Sequence, residues 1–525
     1  MRKKEFSKKL EKNEINKNDH KEMESIEVKD LLKHLRNETL KMLIRIVNSP
    51  NKLTKIYLLI LFITATTFSS YLVINSILSY LEYPVLSTTR TLYERPSVFP
   101  KITICNVNQF TTKESIDFLK QVNKEYNSSI DIFNAEHLKN LTFAQKQDLF
   151  GNIILNANYK MNSNNLTVAD KKKFAHGMKD MLIGCKFNYK KCTKSDFYWI
   201  FDPNFGNCYV FNSGQDGNGT GTIPLKISAI GGYWFGLQIQ LYVNFHENLT
   251  LYNAFAAGLG FNVMVVGGLG ALVKIENNSY LTDETNYHGV QVSPGFQTNI
   301  VLSRAFRLKL PKPYSDCDID NDSSKSFNNN EFFKLFAETN YQYSQSACLD
   351  ICYQKLSINI CNCTDPTSLS LYDTANCQGQ EQYSCNWEVY NNFTNPNGTE
   401  YSYCINLCPL ECNQTEYKTT SISTVNLIGE YYVDFIKENK NLFADFVTKT
   451  LDSKTAANSV VSINIYYDSL SYDLTTESPA ISAIDLFAEI GGQLSLLLGL
   501  SLFTFCEIIE IFIEVFYIKK KMLNF

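Results

Sequence analysis

Two long apolar segments, one near each end of the chain, dominate the pattern of hydrophobic and polar positions. The first, at 56–81, has no charged residue and exceeds the about 20 apolar residues that cross a bilayer core. The second, at 481–518, is too long for one ordinary span and is followed by lysines at 519–521. The pattern predicts transmembrane segments at 56–81 and 481–518, separated by a long polar region at 82–480.

The second apolar segment contains carboxylates within apolar sequence. Steps of three or four residues follow one helical face. That face comprises Asp485, Glu489, Gly492, Leu496, Gly499, Phe503, Glu507, Glu510 and Glu514. An ionisable side chain at membrane depth is costly and usually faces water or a partner. Copies of this face packed together would line a cation pore with rings of carboxylates.

A membrane anchor with acids at its two interfaces is the alternative interpretation of this segment. Asp485 and Glu514 alone would allow it, because both lie near the ends of the segment. Glu507 and Glu510 argue against it, since apolar residues flank them on both sides.

Basic residues flank the outer ends of both apolar segments and predict the topology. Lys41, Arg45, Lys52 and Lys55 precede the first segment, and the lysines at 519–521 follow the second. The pattern predicts cytosolic tails at 1–55 and 519–525, with the region between the spans outside the cell. No signal peptide is expected, because the first apolar run begins at 56. A net charge of −4 and a pI of about 6.0 do not indicate a nucleic-acid partner.

Cysteines and glycosylation sequons concentrate between the two apolar segments. Fourteen of the fifteen cysteines lie from Cys105 to Cys412, whereas Cys506 lies inside the second apolar segment. An even, dense set in an extracellular region indicates a disulfide framework. Eleven N-x-S/T sequons support a glycosylated exterior. The sequons are at Asn127, Asn140, Asn165, Asn218, Asn248, Asn277, Asn321, Asn362, Asn392, Asn397 and Asn413.

One stretch inside the polar region is a candidate for a third span. Residues 254–273 are twenty in number and carry no charge. The sequons at Asn248 and Asn277 flank this stretch closely, and a true span would place one of them in the cytosol. Its glycine pairs and β-branched residues favour buried strands and turns instead.

The polar region combines strand and helix patterns. Alternating, β-branched segments predict strands at 98–107, 236–245, 290–302 and 459–467. Helical patterns occur at 112–125, 144–155 and 330–355. The expected fold class is α+β, with a disulfide-rich domain between two transmembrane helices.

Cysteine spacing adds detail to the disulfide prediction. Two sets recur every four residues, one at Cys348 and Cys352 and the other at Cys404, Cys408 and Cys412. On helices each set would share one face, so two facing helices could be joined as a ladder. Zinc is the alternative for the C-N-C and C-x3-C patterns, but the even extracellular count favours disulfides. No metal site or other cofactor is predicted.

Seven motifs, in their order and spacing, resemble the degenerin/epithelial sodium channel family, which includes acid-sensing and peptide-gated channels. The resemblance covers residues 39–520. The motifs are FPKITICN at 99–106, VSPGFQTNI at 292–300, LPKPYSDC at 310–317, YSQSACLDIC at 343–352, CNC at 361–363, YYDSLSYD at 466–473 and AEIGGQLSLLLGLSLFTFCEIIE at 488–510.

The resemblance implies a plasma-membrane channel with a hand-shaped ectodomain, assembled as a homotrimer or as a heterotrimer with related subunits. Sodium would be the permeant ion, amiloride a blocker and membrane lipid the surroundings of the two spans. The family's disulfides would pair Cys105 with Cys208, Cys185 with Cys192, Cys317 with Cys412, Cys348 with Cys408, Cys352 with Cys404, Cys361 with Cys385, and Cys363 with Cys377.

The resemblance also implies a selectivity filter. The G-x-S tract of the family falls on Gly499, Leu500 and Ser501. At this tract the second span is expected to unwind, so that two half-helices share the long apolar stretch.

Gate and coupling residues follow from the same resemblance. Ala488 matches a small residue just outside the gate, where added bulk tends to hold the pore open. Gly491 and Gly492 would give this region close packing and flexibility. Tyr83 and Tyr314 match an aromatic pair that couples the first span to the ectodomain.

Some positions depart from the family pattern and bear on gating. The cytosolic His-Gly of the family aligns with Lys41-Met42. Carboxylates of proton-gated members align with Trp387 and Asn391, and their histidines after the first span align with Pro84-Val85. None of these replacements titrates near neutral pH, so proton gating is disfavoured. Peptide, another small ligand, force and constitutive opening remain as alternatives.

Two other function classes compete with a sodium channel. An ATP-gated channel shares the two-span, cysteine-rich, trimeric plan but lacks the FPKITICN and GGQLSLLLGLS motifs. A non-conducting cell-surface receptor with two anchors would not require the acidic face of the second span. An enzyme is not expected, because no G-x-S-x-G, H-E-x-x-H or phosphate-binding loop is present.

Overall fold

The structure is a computed structural model. It describes residues 46, 49–107, 109–126, 130, 139–142, 144–145, 149, 153, 156–157, 159–161, 166–202, 205–215, 222–243, 270–276, 289–317, 331–339, 343–368, 370–438, 452–500, 506, 509, 513 and 516. The chain divides into two units. One comprises Met1–Leu86 with Ser478–Phe525, and the other comprises Ser87–Glu477.

The described part of the chain contains both helices and strands. The helices are α1 (Lys52–Leu81), α2 (Lys113–Tyr126), α3 (Val168–Lys173), α4 (Met178–Met181), α5 (Glu331–Thr339), α6 (Gln345–Cys361), α7 (Gly379–Phe393), α8 (Thr399–Leu407), α9 (Gly429–Glu438), α10 (Ser453–Ala457) and α11 (Ala483–Leu498). The strands are β1 (Val85–Tyr93), β2 (Ser97–Val98), β3 (Lys101–Asn106), β4 (Leu182–Phe187), β5 (Lys190–Lys191), β6 (Phe197–Asp202), β7 (Gly206–Phe211), β8 (Ile227–Ser228), β9 (Leu237–Tyr242), β10 (Ala271–Glu276), β11 (Val290–Val292), β12 (Phe296–Leu308), β13 (Asn413–Asn426) and β14 (Val460–Pro479).

A seven-stranded sheet organises the second unit. Six of its strands follow the order β13-β12-β14-β9-β4-β5, and the seventh, β1, also pairs with β14. β12 and β14 run parallel, whereas β12 with β13 and β14 with β9 run antiparallel. The first six residues of β14 are all buried, as expected for a central strand covered on both faces.

A five-stranded sheet, in the order β11-β10-β3-β7-β6, shares a hydrophobic core with the larger sheet. Ile104 and Phe211 of the smaller sheet and Ile239 and Ile463 of the larger sheet belong to this core, and each is at most 1% exposed. The strands of both sheets are rich in β-branched and aromatic residues, which pack well on buried, pleated faces.

A buried ion pair crosses the five-stranded sheet. Lys274 on β10 donates to Asp202 on β6 at 2.8 Å, and their side chains are 3% and 2% exposed. The Asp202 carboxylate also accepts a hydrogen bond from the Phe205 backbone N–H. Two charges at this depth are stable only because each compensates the other.

Helices α6, α7 and α8 form a disulfide ladder, by which we mean these three helices and the cysteines that join them. Two rungs connect α6 to the α8 segment, with Cα–Cα distances of 5.7 Å for Cys348–Cys408 and 5.8 Å for Cys352–Cys404. A third bridge, Cys361–Cys385, connects α6 to α7. The spacing of four residues therefore does put the two rungs on one face of α6.

The remaining bridges are outside this three-helix contact. They are Cys105–Cys208, Cys185–Cys192, Cys317–Cys412 and Cys363–Cys377. All seven pairs are those that the family resemblance implies, and the zinc alternative does not apply to these cysteines.

A buried polar network lies beneath the disulfide ladder. The Asp365 carboxylate accepts hydrogen bonds from the Tyr353 hydroxyl at 2.7 Å, the Asn386 amide at 2.8 Å and the Thr367 backbone N–H at 2.8 Å. Burial raises the pKa of the Tyr353 hydroxyl far above its usual range, and the Asp365 charge adds to this effect. Tyr353 therefore stays a neutral donor at physiological pH.

One predicted helix is wrong in extent. The sequence predicts a single helix at 330–355, but the structure has α5 and α6 there. Ser344 begins α6 as its N-cap, with its side chain accepting a hydrogen bond from the Ala347 N–H at 3.1 Å. Ser344 lies in the middle of the predicted helix, and its capping geometry shows that a new helix begins there.

Other predicted elements agree more closely with the structure. The strand at 236–245 is β9, and the strand at 459–467 is the start of β14. The prediction at 98–107 covers β3 and the last residue of β2, and that at 290–302 covers β11 and part of β12. Of the third-span candidate, the structure describes 270–273, where β10 begins.

Membrane-spanning potential is concentrated in α1. Among the described residues, one helix, Lys52–Leu81, is long and apolar enough to cross a membrane by length and composition. It begins four residues before the predicted segment at 56–81. α11 is shorter, and most of the remaining second apolar segment is outside the described residues.

The disulfide ladder generates a first prediction. Cys352→Ser should reduce assembly and delivery to the cell surface, because a native disulfide contributes about 2–5 kcal/mol and the change leaves Cys404 as an unpaired thiol. Surface biotinylation of the full chain measures this effect. Cys506→Ser is the control, since Cys506 is an exposed free thiol. Equal surface amounts and heat resistance for Cys352→Ser and the parent would refute a stabilising role for this rung.

The buried ion pair generates a second prediction. Lys274→Met should lower the free energy of unfolding by about 3–5 kcal/mol, because it leaves the Asp202 charge buried without its cationic partner. Thermal unfolding of the purified full chain measures the loss. Lys173→Met is the matched control, because Lys173 pairs with Asp170 at 2.8 Å on the surface and should give no measurable change. Equal melting temperatures for both variants would contradict this account.

Candidate functional site

Helix α1 presents one face to the rest of its unit, and the two buried residues on that face are serines. Ser69 is 1% exposed and Ser76 is 5% exposed, although most of the helix is open. Ala65 and Ser79 lie on the same face and are half-buried. Small side chains allow two membrane helices to approach closely, so this face is suited to helix packing.

Helix α11 begins with a capping box. The Ser482 hydroxyl accepts a hydrogen bond from the Asp485 N–H at 3.1 Å, and Asp485 Oδ2 accepts one from the Ser482 N–H at 3.0 Å. The reciprocal bonds satisfy two backbone donors that the first helical turn leaves unpaired. Asp485, predicted as a pore carboxylate, thus also fixes where the helix starts.

One face of α11 packs on α1. Leu486, Ile490, Gln493 and Leu497 are half-buried and recur with helical spacing. The two helices are in direct contact along this face. The contact fixes the rotation of α11 about its own axis relative to α1.

The predicted pore stripe lies on a different side of α11. Its described members on the helix are Asp485, Glu489, Gly492 and Leu496, and all four are exposed. Leu496 is the extreme case, with 85% exposure. An apolar and acidic stripe left open by its own chain is available to line a cavity or to meet another chain.

A polar contact joins the two faces just described. The Gln493 amide nitrogen donates to Ser76 Oγ on α1 at 3.0 Å and to Glu489 Oε1 on α11 at 3.3 Å. Sequence reasoning did not single out Gln493 or Ser76. The signal was present in the small and polar spacing of Ala65, Ser69 and Ser76 within an otherwise apolar span.

The predicted gate residues have open space around them within the part of the chain that the structure describes. Beyond the backbone of α11 itself, a Cβ atom placed on Gly491 or Gly492 would meet no described atom within 4 Å. Ala488 is exposed as well. Packing against the described residues of the same chain therefore does not require small side chains at these positions.

Gly499 terminates α11 at the predicted filter. Its φ of 68° is left-handed, a conformation that favours glycine, and its N–H donates to the Ser495 carbonyl at 3.0 Å. Leu500 follows and is half-buried. The helix therefore ends at the tract where the resemblance implies that the span unwinds. Ser501, Glu507, Glu510 and Glu514 are outside the described residues.

The predicted coupling tyrosines belong to different units. Tyr83 follows α1 with a φ of 49°, and its ring lies 6.0 Å from that of Tyr80. Tyr314 lies in a turn in which its N–H donates to the Pro311 carbonyl at 3.0 Å. Their coupling remains a prediction.

Trp387 and Asn391, which align with carboxylates of proton-gated family members by the resemblance, are non-titrating and exposed. Trp387 on α7 is 48% exposed, and its ring stacks on Tyr390 with centroids 5.9 Å apart. Asn391 follows on the same helix and is exposed. The surface of α7 at these positions offers an aromatic face and an amide.

Predicted glycosylation sites fall partly within the described residues. Asn140, Asn362, Asn392, Asn397 and Asn413 are all exposed. The other six lie outside the described residues, and they are Asn127, Asn165, Asn218, Asn248, Asn277 and Asn321. Glycan attachment at any of these sites remains a prediction.

Comparison with known protein families gives one match along most of the chain. The sequence model of the family described as "Amiloride-sensitive sodium channel" matches residues 35–511. The match includes α1, the region between the spans, α11 and the filter tract.

Individual relatives cover most of the chain at modest identity. Acid-sensing ion channel 1A of Danio rerio is 24% identical over 472 residues, covering 87% of this chain and 82% of the relative. The FMRFamide-activated amiloride-sensitive sodium channel of Cornu aspersum is 25% identical over 553 residues, covering 90% and 81%. Acid-sensing ion channel 2 of Rattus norvegicus is 24% identical over 457 residues, covering 85% and 78%.

Proposed function

The chain belongs to the amiloride-sensitive sodium channel family, and on that premise we propose that it forms a trimeric, sodium-selective, amiloride-blocked channel of the plasma membrane. Members of this family are ion channels, so the chain is not an enzyme. The proposed arrangement has cytosolic tails at 1–55 and 519–525, spans at 56–81 and 481–518, and an extracellular domain at 82–480.

The exposed stripe of α11 is the observation that carries this proposal. Glu489, Gly492 and Leu496 are open, while the face that contains Ile490 and Leu497 is covered by α1. A carboxylate exposed on a membrane helix is costly unless it faces water or a partner. Three copies that turn this stripe inward would give each carboxylate an aqueous, cation-attracting environment.

The small residues of α11 support assembly of several copies. Gly491 and Gly492 have free space around them among the described residues of one chain, so packing against those residues does not require their small size. Three helices that cross at a narrow point require small facing side chains. Ala488, Gly491 and Gly492 would provide that crossing and thereby the gate.

Ion selectivity is proposed to arise at Gly499, Leu500 and Ser501. Left-handed Gly499 ends α11, which frees backbone carbonyl groups from helical hydrogen bonding. Three such tracts could surround a partly dehydrated sodium ion with carbonyl and hydroxyl oxygens. Glu507 and Glu510 would concentrate cations on the cytosolic side of this filter.

The gating stimulus is proposed to be extracellular and not a proton. Trp387 and Asn391 do not titrate, although carboxylates would be expected there in a proton sensor. Relatives of the chain include both acid-sensing channels and a peptide-activated channel. A peptide, another ligand or force fits the chain better than acid, and Trp387 offers an exposed ring for apolar contact.

Current measurement tests the proposed function. Cells that express the chain should show a standing or stimulus-evoked sodium current that disappears when sodium is replaced by a large cation and is reduced by amiloride. Ser501→Asp should alter the sodium-to-potassium permeability ratio, because the filter oxygens change in number and charge. Full surface expression without current, with candidate peptides and with stretch, would favour the non-conducting receptor. An unchanged reversal potential in Ser501→Asp would remove Ser501 from the filter.

The gate geometry generates a further prediction. Ala488→Trp should shift the channel toward the open state, because overpacking a closed crossing costs about 1–3 kcal/mol, which changes the closed-to-open ratio about 5- to 150-fold. The measured result is amiloride-sensitive current without stimulus. Ala483→Trp is the control, because Ala483 is an exposed alanine of the same helix and lies about 140° around the helix from Ala488. Normal expression of Ala488→Trp without standing current would move the gate elsewhere.

A further inference from the structure

We propose that Gln493 is a positioning residue that ties the pore carboxylate Glu489 to the first span through Ser76. This inference rests on the proposed channel function and adds a route by which movement of α1 reaches the pore lining. All three residues lie in α1 or α11, so the inference uses no part of the second span beyond Leu500.

The hydrogen bonds of this cluster have a defined direction. Ser76 Oγ donates its hydrogen to the Leu72 carbonyl at 3.1 Å, so it acts toward Gln493 as an acceptor. The Gln493 amide has two N–H groups. One donates to Ser76 Oγ at 3.0 Å and the other to Glu489 Oε1 at 3.3 Å. A single planar amide thus holds a side chain on each helix.

The orientation of the amide follows from its partners. If the Gln493 oxygen and nitrogen exchanged places, the oxygen would face the Ser76 hydroxyl, whose hydrogen is engaged by Leu72. It would also face a Glu489 carboxylate, which as an anion has no hydrogen to donate. The present orientation leaves Gln493 Oε1 buried without a partner among the described residues. A buried unpaired oxygen is unfavourable, so the two bonds of the nitrogen must compensate for it.

Packing alone does not explain a glutamine at this position. Its neighbours on the α1-facing side of α11, Ile490 and Leu497, are apolar. A leucine or methionine at 493 would fill similar space without an unpaired oxygen. The glutamine adds hydrogen bonds that reach from the buried contact with α1 to the exposed stripe.

The consequence concerns the pore carboxylate. Glu489 is exposed and has freedom to change rotamer, and the bond from Gln493 favours one orientation. Because Gln493 also bonds Ser76, displacement of α1 relative to α11 would release or reorient Glu489. Ser76 and Gln493 would therefore act as one unit on conduction or gating.

A double-mutant cycle on single channels tests this coupling. Ser76→Ala and Gln493→Leu should each shift unitary sodium conductance or the open-to-closed ratio by about threefold, the size expected for an average interhelical hydrogen bond in a membrane. The shift in the double variant should be no larger than the shift in either single variant. Ser76→Thr keeps the acceptor oxygen and should restore parental behaviour. Ser70→Ala is the matched control, because Ser70 is an exposed serine of the same helix.

A merely structural contact would give a different pattern. It would lower surface expression and heat resistance while the channels that reach the surface conduct and gate as the parent does. Additive effects of Ser76→Ala and Gln493→Leu, or parental conduction in both, would overturn the inference.

A further measurement does not depend on current. The Ser76→Ala and Gln493→Leu changes should be non-additive in melting temperature, because each removes the same hydrogen bond between the two helices. Additive melting shifts would overturn the contact whether or not the parent conducts. Non-additive melting shifts in a chain that never conducts would instead refute the proposed function, and the positioning role with it.

Discussion

The packing of α11 on α1 is the contact on which the proposed function depends. It buries the face of Ile490, Gln493 and Leu497, and it leaves Glu489 and Leu496 open. In a membrane, apolar side chains gain little by leaving lipid, so close approach and a few hydrogen bonds determine which helix faces meet. The small side chains of α1 permit that approach, and the bond between Ser76 and Gln493 gives the contact a polar component. Once this face is occupied, the acidic stripe is available for other copies.

The unit Ser87–Glu477 is stabilised by different means, which suit the aqueous and oxidising environment proposed for it. Disulfides join α6 to α7 and α8, and a buried ion pair, Lys274 with Asp202, crosses the smaller sheet. Cross-links limit the unfolded ensemble, whereas the two sheets bury a shared apolar core. The cross-links hold α6, α7 and α8 in fixed relation to one another.

Sequence patterns predicted the features that rest on strong, local signals. Alternation gave β9 and β14, cysteine spacing gave a helical ladder, and family resemblance gave the seven disulfide pairs. The pattern at 330–355 was misleading because helical periodicity continues through Ser344, and only the cap geometry shows that a new helix begins there. Gln493 was also missed. Its importance depends on Ser76, which is distant in sequence, and on a side-chain hydrogen bond that periodicity cannot reveal.

The central claim is that the stripe of α11, and not merely any exposed side of it, lines a cation path. Leu496 and Phe487 are 85% and 75% exposed in one chain and lie on opposite sides of the helix, so exposure alone does not distinguish them. The decisive measurement is the effect of a membrane-impermeant, cationic thiol reagent on sodium current in Leu496→Cys and Phe487→Cys channels that also carry Cys506→Ser. The account predicts rapid, irreversible block in open Leu496→Cys channels and none in Phe487→Cys channels. Block at Phe487→Cys with an unaffected Leu496→Cys would contradict it.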